Sequence, residues 1–303
     1  MSGPVVVLAG GTGGAKLARG MLDVVGPDQL SVVANTGDDL EIYGGYVSPD
    51  PDLVTFWLAD RIDERGWGLR DDTFAVMEGL RSLGVDVWFN LGDRDLAVAI
   101  ERARMLASGR RLTEAQAAIG AALAVCAKVL PMSDGPVRTR VQAHGRWWSF
   151  QEFMIRARAE GPVNEVEFAG ARAAGASPEV LEAIAGARAI VIGPSNPVIS
   201  IAPILALPDL RDHLRASPAA VVAVSPVVRG QVLKPATTPF MDWAGHSVSP
   251  AGIAAYYAGV IDGIVCDERL DGLPVLETDV LMEGAQGRRR LAQEALQFAL
   301  SLR

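Results

Sequence analysis

The sequence predicts an α/β fold, a Rossmann-like and mostly parallel sheet flanked by helices, with an inserted α+β lobe. Three observations carry this. Short β-branched runs alternate with longer helical patterns, the candidate strands are nearly all apolar as strands covered on both faces should be, and a glycine-rich turn joins the first strand to the first helix.

The elements follow in order. Residues 5–8 and 30–34 read as strands on either side of a helix over 15–25. Further strands are expected at 85–89, 189–192, 220–224 and 261–265, forming one sheet split between the two ends of the chain. The middle reads differently: Thr113, Glu114, Ala115 and Gln116 form a capping box opening an Ala-rich helix, and 137–150 alternates polar and apolar across Gly145 like a hairpin. This assigns 1–112 and 188–303 to a nucleotide-binding core and 113–187 to the inserted lobe. Ser177 before Pro178 and Ser249 before Pro250 each place an N-cap ahead of a first-turn proline, so helices are expected to begin there.

Composition narrows the function. With 50% hydrophobic and 21% charged residues among 303, the chain has the makings of a packed core and excludes a disordered tail, a collagen-like fibre or a coiled coil. The formal charge of −8 opposes binding to duplex nucleic acid or to an anionic membrane. Cys126 and Cys266 have no second Cys or His at metal spacing, which excludes a disulfide framework and a zinc site and leaves two buried thiols as the expectation. Residues 1–11 read as a first strand rather than a signal peptide, and the longest apolar run, 117–127, is too short to cross a bilayer, so a soluble cytoplasmic protein is expected.

Gly10, Gly11, Thr12, Gly13, Gly14, Ala15 and Lys16 join strand to helix where backbone N–H groups can cradle a phosphate. The third position of the dinucleotide fingerprint is Lys16, and no Gly-Lys-Ser/Thr triplet occurs, so neither the dinucleotide motif nor a Walker loop is matched. A tight turn with no ligand is the alternative, disfavoured because Lys16 adds a cation one turn into the helix.

Carboxylates gather on the same rim. Asn35-Thr36-Gly37-Asp38-Asp39 follows the second strand, Ser48-Pro49-Asp50-Pro51-Asp52 comes next, and Asn90-Leu91-Gly92-Asp93-Arg94-Asp95 follows the expected strand at 85–89. Two or three carboxylates beside a phosphate loop suit Mg²⁺, which takes a few carboxylate oxygens together with water and substrate phosphates. Singly, each Asp is a common turn former or cap. Asp38, Asp52 and Asp93 are the candidates for general base or metal ligand, with the two roles left unassigned. Ser195 and Asn196, rigidified between Pro194 and Pro197, and Ser225 before Pro226 could bond a base, ribose or phosphate. His144, His213 and His246 lack motif contexts, and the six tryptophans are expected in packing; of Trp147 and Trp148 at most one can face a ligand.

In these blocks, together with Leu130-Pro131-Met132-Ser133-Asp134, Gly193-Pro194-Ser195-Asn196-Pro197 and Val224-Ser225-Pro226, the chain resembles the CofD/FbiA family, the 2-phospho-L-lactate transferases of coenzyme F-420 biosynthesis. The resemblance implies transfer of a phospholactyl, phosphoenolpyruvyl or phosphoglyceryl group from a guanosine diphosphate-linked donor to the ribityl hydroxyl of the deazaflavin Fo, with release of GMP. It implies Mg²⁺ as cofactor and assigns Asp38 and Asp52 to metal and Fo contacts. It extends binding roles to Gly10, Gly11, Thr12, Gly13, Gly14, Lys16, Asn90, Arg94, Ser133, Asp134, Ser195, Asn196 and Ser225. The position of Asn90 is Lys in some relatives. A homodimer is expected, with the lobe and its Trp147-Trp148 hairpin as a cover for the site or as the interface. A nucleotide-sugar-binding regulatory protein of the same superfamily is the non-enzymatic alternative. A nicotinamide-dependent oxidoreductase is disfavoured by Lys16 in the fingerprint and by Asn35 where an acidic ribose ligand would stand.

Overall fold

A computed structural model describes residues 3–234 and 236–302; Met1 and Ser2, part of the segment read as the first strand, lie outside them. Seven strands form the main sheet: β1 (Val5–Ala9), β2 (Leu30–Ala34), β3 (Lys128–Pro131), β4 (Ala189–Ile192), β5 (Val221–Val224), β6 (Gly263–Cys266) and β7 (Val275–Glu277). All pairs are parallel, in the order β7-β6-β5-β4-β1-β2-β3. The chain runs outward from β1 to β2 and β3, then returns to β4 on the other side of β1, so the strand order reverses between β1 and β4. A reversal of this kind opens a crevice at the carboxyl ends of the two strands, where open α/β sheets bind ligands.

Strand periodicity places Val6, Leu8, Ile190 and Ile192 in one apolar layer and Val5, Val7, Ala9 and Val191 in the other. The second layer packs against helix α1 (Gly11–Val25) and the C-terminal helix Gly284–Ser301, the first against Pro178–Ala185 and Pro208–Ala216. Each fully buried Val, Leu or Ile side chain contributes about 1.5–3 kcal/mol. These two layers are what hold the crevice open on a rigid floor.

Four expectations are corrected. Residues 85–89 form no strand and lie outside the sheet, where Val87 and Phe89 pack on a small cluster with Val47 and Leu91 and the Phe89 N–H donates to Tyr43 Oη. Lys128–Pro131, inside the stretch assigned to the lobe, is the β3 edge of the main sheet; its proline ends the strand, where a missing donor costs no ladder bond. Helix α5 of the chain order α2 (Pro49–Leu58), α3 (Ala75–Ser82), α4 (Asp93–Ala107) and α5 (Leu112–Ala122) starts ahead of the Thr113 box: Glu114 reaches back to the Arg111 N–H, and the Thr113 N–H is capped by Asp134. Cys126 is exposed; only Cys266 is buried.

The hairpin is as read. Arg138–Ala143 pairs antiparallel with Arg146–Ser149 around His144 and Gly145, both at positive φ, and Val163–Ala169 adds a third strand. Helices begin at Pro178 and Pro250 with Ser177 and Ser249 as N-caps. Among the described residues no helix is long and apolar enough to cross a membrane.

Candidate active site

The crevice is closed at its base by glycines. A Cβ on Gly13 would lie 1.9 Å from the Pro194 carbonyl oxygen, and one on Gly193 would lie 2.7 Å from Gly14 Cα. Only glycine lets the β1–α1 turn and the loop after β4 touch backbone to backbone. Ser195 Oγ accepts from the Gly10 N–H across this seam at 3.4 Å, and Asn196 caps the following helical turn through the Val198 and Ile199 N–H groups.

Asp50, on the first turn of α2, reaches into the seam. Its Oδ1 accepts from the Gly11 N–H at 2.6 Å and its Oδ2 from Asn35 Nδ2 at 3.0 Å, while Asn35 Oδ1 accepts from the Gly37 N–H at 2.7 Å. One fully buried asparagine thereby ties the end of β2 to the glycine turn through a carboxylate. Asp38 is 6% exposed and its Oδ1 has no hydrogen-bond partner. Burial raises its pKa well above the ordinary carboxylate value, the Asp50 charge adds to this, and Asn35 partly offsets it. Asp50 is raised by burial as well, opposed by Asn35, the Gly11 N–H and the charge of Lys234. Two buried carboxylates that repel each other, one with an unsatisfied oxygen, fit a divalent cation: it would supply the missing partner and cancel the repulsion. Among the described residues no third His, Cys, Asp or Glu joins them to form a larger cluster. Asp38 and Asp50 are thus the pair that could hold Mg²⁺.

Cations line the other side of the turn. Lys16 Nζ lies 5.8 Å from the Trp57 ring centre, and Lys234, from the loop after β5, donates to Thr12 Oγ1 at 2.9 Å. Asp39 accepts from Ser48 Oγ at 2.8 Å and Tyr46 Oη at 3.0 Å; burial pushes its pKa up to about 7 against the opposing charges of Arg138 and Arg102. Next to it a cleft of about 330 Å³ runs between residues 37–41 and the antiparallel sheet, bounded by Arg138, Thr139, Arg140 and Phe150.

The other aspartates have different tasks. Asp52, expected as base or metal ligand, is taken by Arg102, a fully buried side chain of α4 that binds both its oxygens. Arg102 also donates to the Tyr46 carbonyl at 3.0 Å and to Gln116 Oε1 at 3.2 Å. Burial raises the Asp52 carboxyl and the Arg102 charge opposes it. Asp50 and Asp52 stand two residues apart on a helix and so point to opposite sides, one to the glycine turn and one to Arg102. Asp93, expected as a catalytic candidate, is a cap: it accepts from Thr73 Oγ1 at 2.6 Å and from the Ala75 and Val76 N–H groups, bonds that lower its pKa.

Several expected binding residues are likewise engaged elsewhere. Asn90 accepts from Arg81 at 2.8 Å, and Arg94 donates to the Arg70 carbonyl at 3.3 Å. Asp134 accepts from the Thr113 N–H and Arg111, Ser133 donates to the Gly175 carbonyl, and Ser225 Oγ accepts from the Val227 N–H. The structure therefore gathers Gly10 to Gly14, Lys16, Asp38, Ser195 and Asn196, and adds Asn35, Asp50, Asp39 and Lys234. Asp50 and Asn35 stood inside motifs singled out in the sequence; nothing local marked Lys234 or Arg102. Trp148 packs on the core and donates to the Ala143 carbonyl, while Trp147 faces the other way beneath Arg140. Each histidine meets local groups: Glu160, Asp209 and Tyr256.

Fold and site together define a Rossmann-like α/β protein with a glycine turn and a buried carboxylate pair at its switch point. A profile of the family described as 2-phospho-L-lactate transferase CofD matches residues 5–282. The 2-phospho-L-lactate transferase of Methanosarcina mazei is 36% identical over 303 aligned residues, covering 97% of this chain and 99% of that protein. A phosphoenolpyruvate transferase from Kitasatospora aureofaciens is 36% identical, covering 99% and 98%. A crystal structure of a UPF0052 family member from Bacillus halodurans superposes with a TM-score of 0.61 at 18% identity, covering 98% of this chain and 99% of that one, and shares the fold. The chain belongs to the 2-phospho-L-lactate transferase CofD family, the transferases of coenzyme F-420 biosynthesis.

Proposed function

We propose that the chain moves a phospholactyl, phosphoenolpyruvyl or phosphoglyceryl group from a guanosine diphosphate-linked donor to the ribityl hydroxyl of the deazaflavin Fo and releases GMP. The observation that carries this reading is the buried, unpartnered Oδ1 of Asp38 beside Asp50 at the edge of the glycine turn. A site of that make-up neutralises and aligns a diphosphate, which is most of what phosphoryl transfer asks of a protein.

The acceptor hydroxyl oxygen forms a bond to the phosphorus nearer the organic acid. The bond from that phosphorus to the bridging oxygen breaks, and GMP leaves with the electron pair. The hydroxyl proton passes to Asp39, whose carboxyl at about 7 is poised near neutral pH and lines the cleft through which the acceptor enters. The positive end of the α1 dipole and the charge of Lys16 face the donor's phosphates. Asp38 and Asp50 would hold Mg²⁺, which when bound supplies charge neutralisation to the diphosphate.

The test is incubation with Fo, Mg²⁺ and, in separate reactions, each of the three guanylylated acids, with mass spectrometry of the products. One lane is expected to yield the Fo phosphodiester and GMP in equal amounts. Absence of both products in every lane, from protein with an intact fold, overturns the reading.

A further inference from the structure

The glycine turn lacks the lysine that a Walker loop carries at its own helix start, and its first two N–H groups are already engaged. Gly10 donates to Ser195 and Gly11 to Asp50, and Asp50 brings a negative charge to the place where a phosphate would sit. An anion can settle there only if positive charge comes from outside the turn. Lys16 supplies one cation, held near Trp57. A second comes from a distance of 222 residues, where Lys234 Nζ meets Thr12 Oγ1 at 2.9 Å on the first turn of α1. The loop that bears it leaves β5, makes a two-residue-a-side hairpin between Val227–Val228 and Gln231–Val232, and is tied back by the Arg229 N–H to Asp267 Oδ2. The hairpin thus brings the exposed lysine back so that its ammonium meets the first turn of α1.

From this placement we infer that Lys234 is a phosphate-contacting residue of the transfer site, standing in for the lysine missing from the turn and specific for the diphosphate part of the donor. Thr12 Oγ1 offers the ammonium a single neutral acceptor. A charged phosphate oxygen is a stronger acceptor than a hydroxyl, so the ammonium exchanges Thr12 for the donor on binding. The inference rests on the proposed function only in taking a diphosphate as ligand.

Calorimetry on the full chain with inorganic pyrophosphate, GDP and GMP, each with Mg²⁺, tests it. Lys234→Met is expected to weaken pyrophosphate and GDP about tenfold or more and GMP much less, so that the preference for GDP over GMP collapses. Lys234→Arg is expected to restore most of the loss, which a purely structural anchor to Thr12 would not explain for the diphosphate alone. Equal affinities of Lys234→Met and wild type for pyrophosphate and GDP overturn the inference, as does an equal loss for all three ligands. If wild type binds pyrophosphate in a Lys234-dependent way but prefers no guanylate, Lys234 stands and the guanosine donor falls. If wild type binds none of the three, both fall.

Discussion

Two aspartate-bearing places, the rim over residues 38–52 and the start of α4 at Asp93, look alike in sequence, and their aspartates behave in opposite ways. Asp38 and Asp50 are buried, and desolvation raises the pKa of each, with the Asp50 charge adding to the rise at Asp38. Asp93 sits at the surface with three donors, and its pKa is lowered. The contrast repeats within one turn: Asp95 is pushed up to about 7 by burial and by the Asp52 and Asp72 charges, two residues from Asp93. A carboxylate near the surface with its donors in place is a structural part. One buried where its charge is disfavoured is primed for a cation or a proton, and environment rather than motif decides which is which.

The largest effect expected from this contrast is on catalysis. Asp38→Asn and Asp50→Asn should each lower the rate of Fo phosphodiester formation by about 10²–10⁴, with the fold intact by circular dichroism, as loss of a charged catalytic contact does. Asp93→Asn, under the same assay, should stay within a fewfold of wild type. A comparable collapse for Asp93→Asn would erase the distinction between the two segments.

Next comes the ion pair that separates Asp52 from Asp50. Arg102→Met leaves the Asp52 charge buried without its partner and should cost about 3–5 kcal/mol in urea unfolding. Adding Asp52→Leu should recover most of that loss, since an apolar pair of similar volume needs no counter-charge. Failure of the second substitution to recover stability would mean that Arg102 acts mainly through Gln116 and the Tyr46 carbonyl.

A smaller effect, of opposite sign, is expected at Asp95. Its folded pKa of about 7 lies above the unfolded value near 3.8, so the native state holds the proton more tightly and stability falls as pH rises through that window. Asp95→Asn should therefore stabilise the protein by on the order of 2 kcal/mol at about pH 8 and leave it unchanged at about pH 4. Asp93 gives the smallest and mirror-image change. Its lowered pKa contributes stability above the ordinary carboxylate range that is lost as pH falls through the folded value, so Asp93→Ala should lower Tm slightly at neutral pH and converge with wild type in acid. Parallel pH profiles for the two variants would break the comparison.

The sheet was legible where burial on both faces writes unbroken apolar runs: β1, β2, β4, β5 and β6 lie within two residues of their expected positions. It was illegible at the edges. β3 begins with an exposed Lys128 and ends in Pro131, and β7 is half-buried, so neither shows such a run. Residues 85–89, apolar except at Asp86, resemble such a run but lie outside the sheet, where Val87 and Phe89 pack on a separate small cluster. In the site, the glycine turn and Asp38 followed from their place after strands. Choosing Asp50 over Asp52 needed the partner of each, and Arg102 lies 50 residues beyond Asp52. Lys234 was hidden for the same reason on a longer scale, since its role depends on a hairpin that brings it back to Thr12.

The seam between the glycine turn and Ser195 also has a meaning for how the protein is made. The two sides of that bond are 185 residues apart. At about 5–20 residues per second, a ribosome takes about 10–40 seconds to travel between them. During that interval β2 can cover one side of β1, but the side that belongs to β4 is a bare row of N–H and C=O groups in the middle of the future sheet. The nascent chain therefore carries an open, wholly apolar strand edge until more than half of it has been synthesised. Slower elongation across residues 35–190 lengthens that exposure, which makes the rate of translation, and the supply of chaperone during it, a determinant of how much soluble enzyme a cell recovers.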